Sequence, residues 1–117
     1  MEVWNKAKDI AICIYQLTLQ ESWQRDYGLR DQIRRATISI SSNIAEGLGR
    51  ESDIEFIRFL VIARGSLFEV KSQLYIALGL KYIDKETFIN LEGNLDEIGR
   101  MISGLIKYLK NPTKAND

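Results

Sequence analysis

Residues 28–50 read GLRDQIRRATISISSNIAEGLGR, and the fold turns on whether this stretch is helix or strand. The case for strand is local. Residues 37–41 (TISIS) alternate strictly between polar and apolar and are rich in β-branched side chains, which suit a pleated surface. The case for helix has longer range. Leu29, Ile33, Ala36, Ile40, Asn43 and Gly47 recur at steps of 4, 3, 4, 3 and 4, straight through the disputed residues without a phase slip. The sequence offers no second strand, and a lone strand would leave its backbone N–H and C=O groups unpaired. The stretch is therefore a helix whose core row is those six residues.

Helical phase then puts Gln32, Arg35, Ser39, Ser42 and Glu46, at steps of 3, 4, 3 and 4, on one flank. An ordinary solvated flank would draw on Lys and Glu, the better helix formers. Ser, Gln and a lone Arg–Glu pair instead suggest polar groups matched to partners. The partners are expected on the third helix, where Ser66, Glu69 and Gln73 step 3 and 4. Two such stripes, with Asn43 beside them, would form a satisfied structural network that fixes helix register. Within it Glu46 is expected to pair with Arg35 or to bond Gln73 or Ser66. Gly65-Ser66 in mid-helix costs about 1 kcal/mol of propensity relative to Ala, which a close helix–helix approach would explain.

The other helices show the same periodicity. Val3, Ala7, Ile10, Ile14 and Leu17 form the seam of the first, and residues 21–28 form the break after it. The second ends at Gly47-Leu48-Gly49, where glycine can take the left-handed C-cap conformation. Ser52 and Glu55 form a capping box for the third, with reciprocal hydrogen bonds expected. Its seam runs Phe56, Leu60, Ala63, Leu67, Val70, Leu74 and Ala77, and it stops near Gly79. Asp84 caps the fourth, with Phe88, Leu91, Leu95, Ile98, Ile102, Leu105 and Leu109 as its core row. Four helices of about 18 to 26 residues, roughly 27 to 39 Å, joined by short loops imply an all-α, up-down-up-down antiparallel four-helix bundle. One domain is expected over residues 1–110, with a disordered tail at 111–117 after Asn111-Pro112.

The third helix is apolar beyond its seam. Phe59, Ile62 and Ile76 lie on one flank, and Ile57, Val61, Phe68 and Tyr75 on the other, while Ile38 and Ala45 point away from the core of the second helix. A helix apolar nearly all round must be buried nearly all round. An oligomer interface is expected at Ile38, Ala45, Ile57, Phe59, Val61, Ile62 and Phe68.

Catalytic constellations are nearly absent. The chain of 117 residues has no histidine, so it lacks an imidazole base, a Ser-His-Asp triad and the usual zinc ligand sets. No cofactor is expected. Glu46 and Glu69 as an acid/base pair are the one hydrolytic or ligand-binding alternative to a non-enzymatic protein. The single Cys13 excludes an intrachain disulfide and reads as a packed or idle thiol on a helix face. No apolar run approaches the ~18 residues of a membrane span, and no signal peptide is apparent, so a cytoplasmic protein is expected. Lys plus Arg, 16, equals Asp plus Glu, 16, giving zero net charge. Any role with RNA or DNA must then rest on a local patch, for which Arg25, Arg30, Arg34 and Arg50 are the candidates. In a ring, several copies of Arg30, Arg34 and Arg50 on one rim would form a basic annulus. Trp23 and Tyr27 are the nearest aromatics and are taken as exposed.

The residues that resist a generic reading also carry a resemblance. Tyr27-Gly28-Leu29, QIRRA at 32–36, SISSNIAEG at 39–47, EFIRFL at 55–60, and Gly65-Ser66-Leu67 with Glu69 resemble a bacterial family of four-helix-bundle proteins. That family was first noticed as reading frames inside intervening sequences of 23S ribosomal RNA genes, and is also called S23-like. The likeness spans about Trp4 to Leu109. The family is similar in fold to the accessory protein of diversity-generating retroelements, a pentameric bundle that binds nucleic acid and a reverse transcriptase. The resemblance implies a homopentamer, no known enzymatic activity, and a binding or scaffolding role whose partner, protein or nucleic acid, is open. The retroelement protein is strongly basic and this chain is neutral, a departure that weakens the nucleic-acid expectation.

Overall fold

The computed structural model describes residues 1–111 and places four helices in them. These are α1 (Glu2–Leu17), α2 (Tyr27–Leu48), α3 (Asp53–Gly79) and α4 (Lys85–Lys110), with one 3-10 turn at Glu21–Trp23. No strand occurs among the described residues, and 37–41 lie within α2. The expected tail, apart from Asn111, lies outside the described residues.

Side chains cap the starts of α2, α3 and α4. Asp26 Oδ1 accepts from the Leu29 amide at 3.0 Å, Ser52 Oγ from Glu55 at 3.1 Å, and Asp84 Oδ1 from Thr87 at 2.8 Å. Each such cap is worth about 1 kcal/mol. The capping box at α3 is half-formed, because the Glu55 carboxylate turns to Arg58, 3.6 Å away. The stops differ from expectation. Gly49 has φ −81° and ψ −5°, so the end of α2 uses no left-handed glycine. At the end of α3 the left-handed residue is Lys81, at φ 63°. The Tyr82 amide reaches Ala77 O at 2.9 Å and the Lys81 amide reaches Leu78 O at 3.0 Å, which closes a Schellman turn on a lysine.

Each helix packs on two neighbours in the cyclic order α1–α2–α3–α4, which is the expected bundle. Its direction shows in the cross-contacts: Ser39 meets Ser66 while the later Gly47 meets the earlier Phe56, and Lys71 meets Asp96 while Arg64 meets Ser103. Ascending numbers on one helix face descending numbers on the next. The bundle measures 53 × 22 × 19 Å.

All five seam residues of α1 are buried, as are Leu60, Ala63, Leu67, Val70, Leu74 and Ala77 of α3. Elsewhere the core row drifts. Thr37 and Ile44 of α2 are fully buried while Asn43 is only half-buried, and Ile106 of α4 replaces Leu105 and Leu109 in the core. A straight helix rotates a strict seven-residue repeat by about 20° per heptad, so a neighbouring residue takes over the inward position along its length.

Gly47 explains the close crossing of α2 and α3. A Cβ there would sit 2.7 Å from Phe56 Cδ1 and 3.2 Å from Phe59 Cβ. The expected close approach at Gly65 is absent: a Cβ on Gly65 meets nothing within 4 Å, because that residue faces outward. Trp23, taken from sequence as exposed, is wholly buried. It tucks under the α3–α4 loop, 5.3 Å from the Tyr82 ring. Ser22 Oγ donates to Tyr82 O at 3.0 Å and Tyr82 OH to Asp26 Oδ2 at 2.9 Å, tying the two loops at that end together.

Candidate functional site

The polar flank of α2 divides into a short inner cluster and a solvated outer row. Ser39 and Ser66 hydroxyls lie 2.8 Å apart across the α2–α3 contact. Asn43 Nδ2 donates to Ser39 O at 2.8 Å and to Ser39 Oγ at 2.9 Å. Of the expected network, these three residues are the ones the structure brings together. Gln32, Arg35, Ser42, Glu46 and Glu69 do not join them and are exposed. The stripe runs along the rim of the helix contact, so position along it decides which side chains turn inward and which extend to water. Gln73 is buried, and its Oε1 has no hydrogen-bond partner.

Glu46 pairs with Arg50 at 3.2 Å rather than with Arg35. The pair is exposed and contributes less than about 1 kcal/mol. Nor does Glu46 approach Glu69. Glu46 adjoins Gly47, which packs on Phe59. Glu69 lies ten residues farther along α3, about 15 Å at the helical rise. The two carboxylates therefore do not form an acid/base pair. Among the described residues no group of three or more metal-ligating side chains could hold an ion. Cys13 is exposed at a cleft of about 330 Å³ between α1 and α4, beside the Lys6–Glu97 ion pair.

The arginines are split between the two ends of the bundle. Arg34 Nε donates to the buried Thr18 Oγ1 at 2.7 Å, and its guanidinium lies over the Tyr15 ring. Arg30 lies over Tyr27 and 3.7 Å from Asp31. Arg50 lies over Phe59 as well as against Glu46. Arg25 is exposed and has no partner among the described residues. Arg30 and Arg50 stand about 30 Å apart along α2, so one rim cannot carry both as the annulus required.

Most of the exposed apolar side chains lie on two separate faces, with Leu48, Leu80, Ile89 and Tyr108 elsewhere. One is a groove between α1 and α2 of about 340 Å³, lined by Ala11, Ile12, Tyr15, Leu19 and Ile38. The other is the outer face of α3, where Val61, Ile62, Phe68, Tyr75 and Ile76 are exposed. Two residues of the expected interface are partly used within the protomer: Ile57 packs on the core and Phe59 sits against Gly47. Ala45 is exposed. The part of the groove on α1 was missed in the sequence. Its signal was the second apolar row, Ile12, Tyr15 and Leu19 at steps of 3 and 4.

Among the described residues no helix is long and apolar enough to cross a membrane. Comparison with curated proteins finds no match. Among solved structures, the chain is similar to a protein of unknown function from the S23 ribosomal protein family of Bacteroides thetaiotaomicron. The two are 28% identical over 90% of this chain and 98% of the other, with a TM-score of 0.83. Residues 1–104 match the family described as 23S rRNA-intervening sequence protein. With nearly the whole bundle inside that match and the same fold in a relative, the chain belongs to the 23S rRNA-intervening sequence protein family.

Proposed function

We propose that this protein is a non-enzymatic, cytoplasmic module that assembles with copies of itself, as a ring of five, and offers the assembled surface to a partner. The observation that carries this reading is the pair of exposed apolar faces, on α1–α2 and on α3. Contiguous apolar surface of this kind on a soluble domain marks an interaction site. Two different faces on one protomer suit head-to-tail contacts, which close into rings. The count of five comes from the family resemblance. Light scattering after gel filtration should give a mass several times 13.5 kDa, about 67 kDa for five copies. A monomer at micromolar concentration overturns the reading.

A nucleic-acid-binding ring is the second reading, favoured by Arg25, Arg30 and Arg34 gathering at one end of the bundle. Two of these three are held by aromatic rings, so Arg25 is the side chain best placed to reach a phosphate. Fluorescence anisotropy with duplex DNA and structured RNA at 50 and 200 mM salt tests it. Binding should weaken with a log–log slope of about −0.7 to −0.9 per phosphate contact, and Arg25→Glu should weaken it further. No binding at low salt removes this reading and leaves a protein partner.

A further inference from the structure

The outer face of α3 carries a second heptad. Ile54, Val61, Phe68 and Tyr75 recur every seven residues, and all four are exposed, Ile54 at 79% and Phe68 at 60%. Gly65, Ser72 and Gly79 recur at the same interval, four residues behind the last three of them. A row of large apolar knobs beside a row of small residues is the pattern by which one helix receives another in a knobs-into-holes contact. Within the protomer Tyr75 packs edge-on against Phe88 at 4.7 Å, but the small-residue row is left open: a Cβ at Gly65 or Gly79 meets nothing within 4 Å. A mid-helix glycine costs about 1 kcal/mol against Ala, and no contact inside the bundle offsets that cost at Gly65.

The molecule also presents a complementary surface. The α1–α2 groove is concave and apolar, with Ile12 and Ile38 on opposite walls. The charges beside the two surfaces are opposite as well. Glu69, next to Phe68, is exposed and has no ion-pair partner among the described residues. Arg35, likewise exposed and unpaired, lines the cleft that Tyr15 and Ile38 share at the edge of the groove.

We infer that the outer seam of α3 in one copy docks into the α1–α2 groove of the next, with Phe68 entering among Ile12, Tyr15 and Ile38 and Glu69 meeting Arg35. This rests on the self-assembly reading and names the two surfaces that meet. The contact is heterologous, so every added copy exposes a new seam and a new groove until the ring closes. A seam pairing with its own copy would instead stop at a two-fold dimer and leave the groove bare.

Complementation between two variants tests the pairing. Phe68→Asp destroys the seam and keeps the groove; Ile38→Asp destroys the groove and keeps the seam. Each alone should run as a monomer with wild-type helicity by circular dichroism. Mixed, they should form a 1:1 dimer of about 27 kDa and nothing larger, because only one good seam and one good groove remain between them. Gly65→Leu, which fills the small-residue row at an exposed position whose Cβ has open space, should also dissociate the assembly with the fold intact. An assembled Ile38→Asp protein, or a mixture that stays monomeric while the wild type is assembled, overturns the pairing and leaves self-assembly standing. A monomeric wild type removes both.

Discussion

Thr37 shows how a single buried group can be out of place. It is fully buried where α2 meets the core, and its hydroxyl has no hydrogen-bond partner. An unsatisfied buried hydroxyl costs about 1–3 kcal/mol, and valine has nearly the same shape. Thr37→Val should therefore stabilise the protein by about 1 kcal/mol, read as a rise of roughly 3–5 °C in melting temperature. Asp26 is the opposite case, a side chain with two partners. The Leu29 amide, and after it the Tyr82 hydroxyl, hold its carboxyl below the ordinary 3.8. A depressed carboxyl stabilises the fold above its unfolded pKa and loses that contribution as pH falls through the folded value. Asp84, lowered by the Thr87 amide, acts in the same window. Thermal melts should show stability falling below about pH 4, and Asp26→Asn should blunt that fall while Asp84 preserves part of it. An unchanged acid limb in Asp26→Asn would show that the Leu29 and Tyr82 contacts do not hold this carboxyl in solution.

At the scale of elements, glycines and turns decide where helices cross and stop. Gly47 and Gly65 both sit in helices, yet only Gly47 touches a neighbouring helix. Gly47→Ala should gain about 1 kcal/mol of helix propensity but lose more to overpacking against Phe56 and Phe59, for a net loss of about 1–2 kcal/mol. Gly65→Ala should stabilise the protomer by about 1 kcal/mol, measured in the Phe68→Asp background so that folding is read apart from assembly. The end of α3 offers a third case. A non-glycine residue in the left-handed region costs about 1–2 kcal/mol, so Lys81→Gly should raise stability by about 0.5–1 kcal/mol after the added chain entropy of glycine. Chemical denaturation with a constant m-value would check each of these.

Over the whole molecule, the outer faces of the helices differ in polarity. The outer face of α4 is mostly polar, and its Asp96 and Glu97 are paired with Lys71 and Lys6 of the flanking helices. Most of the exposed large apolar residues lie on α1, α2 and α3, with Ile89 and Tyr108 the exceptions on α4. In a ring joined through those faces, α4 would meet water or a partner while the other three would be covered. Hydrogen exchange should then be slower in the amides of α3 near Phe68 in the assembled wild type than in monomeric Phe68→Asp. Equal protection in the two would mean that the outer face of α3 is not buried on assembly.

Periodicity alone determined the number of helices, their order and most of the core, because burying one apolar face forces a repeat near 3.5 residues wherever the chain is helical. It also overruled the local strand pattern at 37–41, since a lone strand has no partner for its backbone. The caps Ser52 and Asp84 were legible because each acts on an amide three residues away; Asp26 caps α2 in the same way but had been read only as part of a break. Contacts between distant parts of the chain were not legible. Trp23 is buried by Tyr82, a residue 59 positions later, and nothing beside it in sequence says so. The polar stripe of α2 looked uniform by spacing, yet only Ser39 reaches a partner on α3, because reach depends on where the rim of the helix contact falls. Glu46 turned to its own helix because Arg50 is one turn away, while Arg35 points outward with no partner. Period sets which face is buried; only the tertiary arrangement sets what each side chain on that face meets.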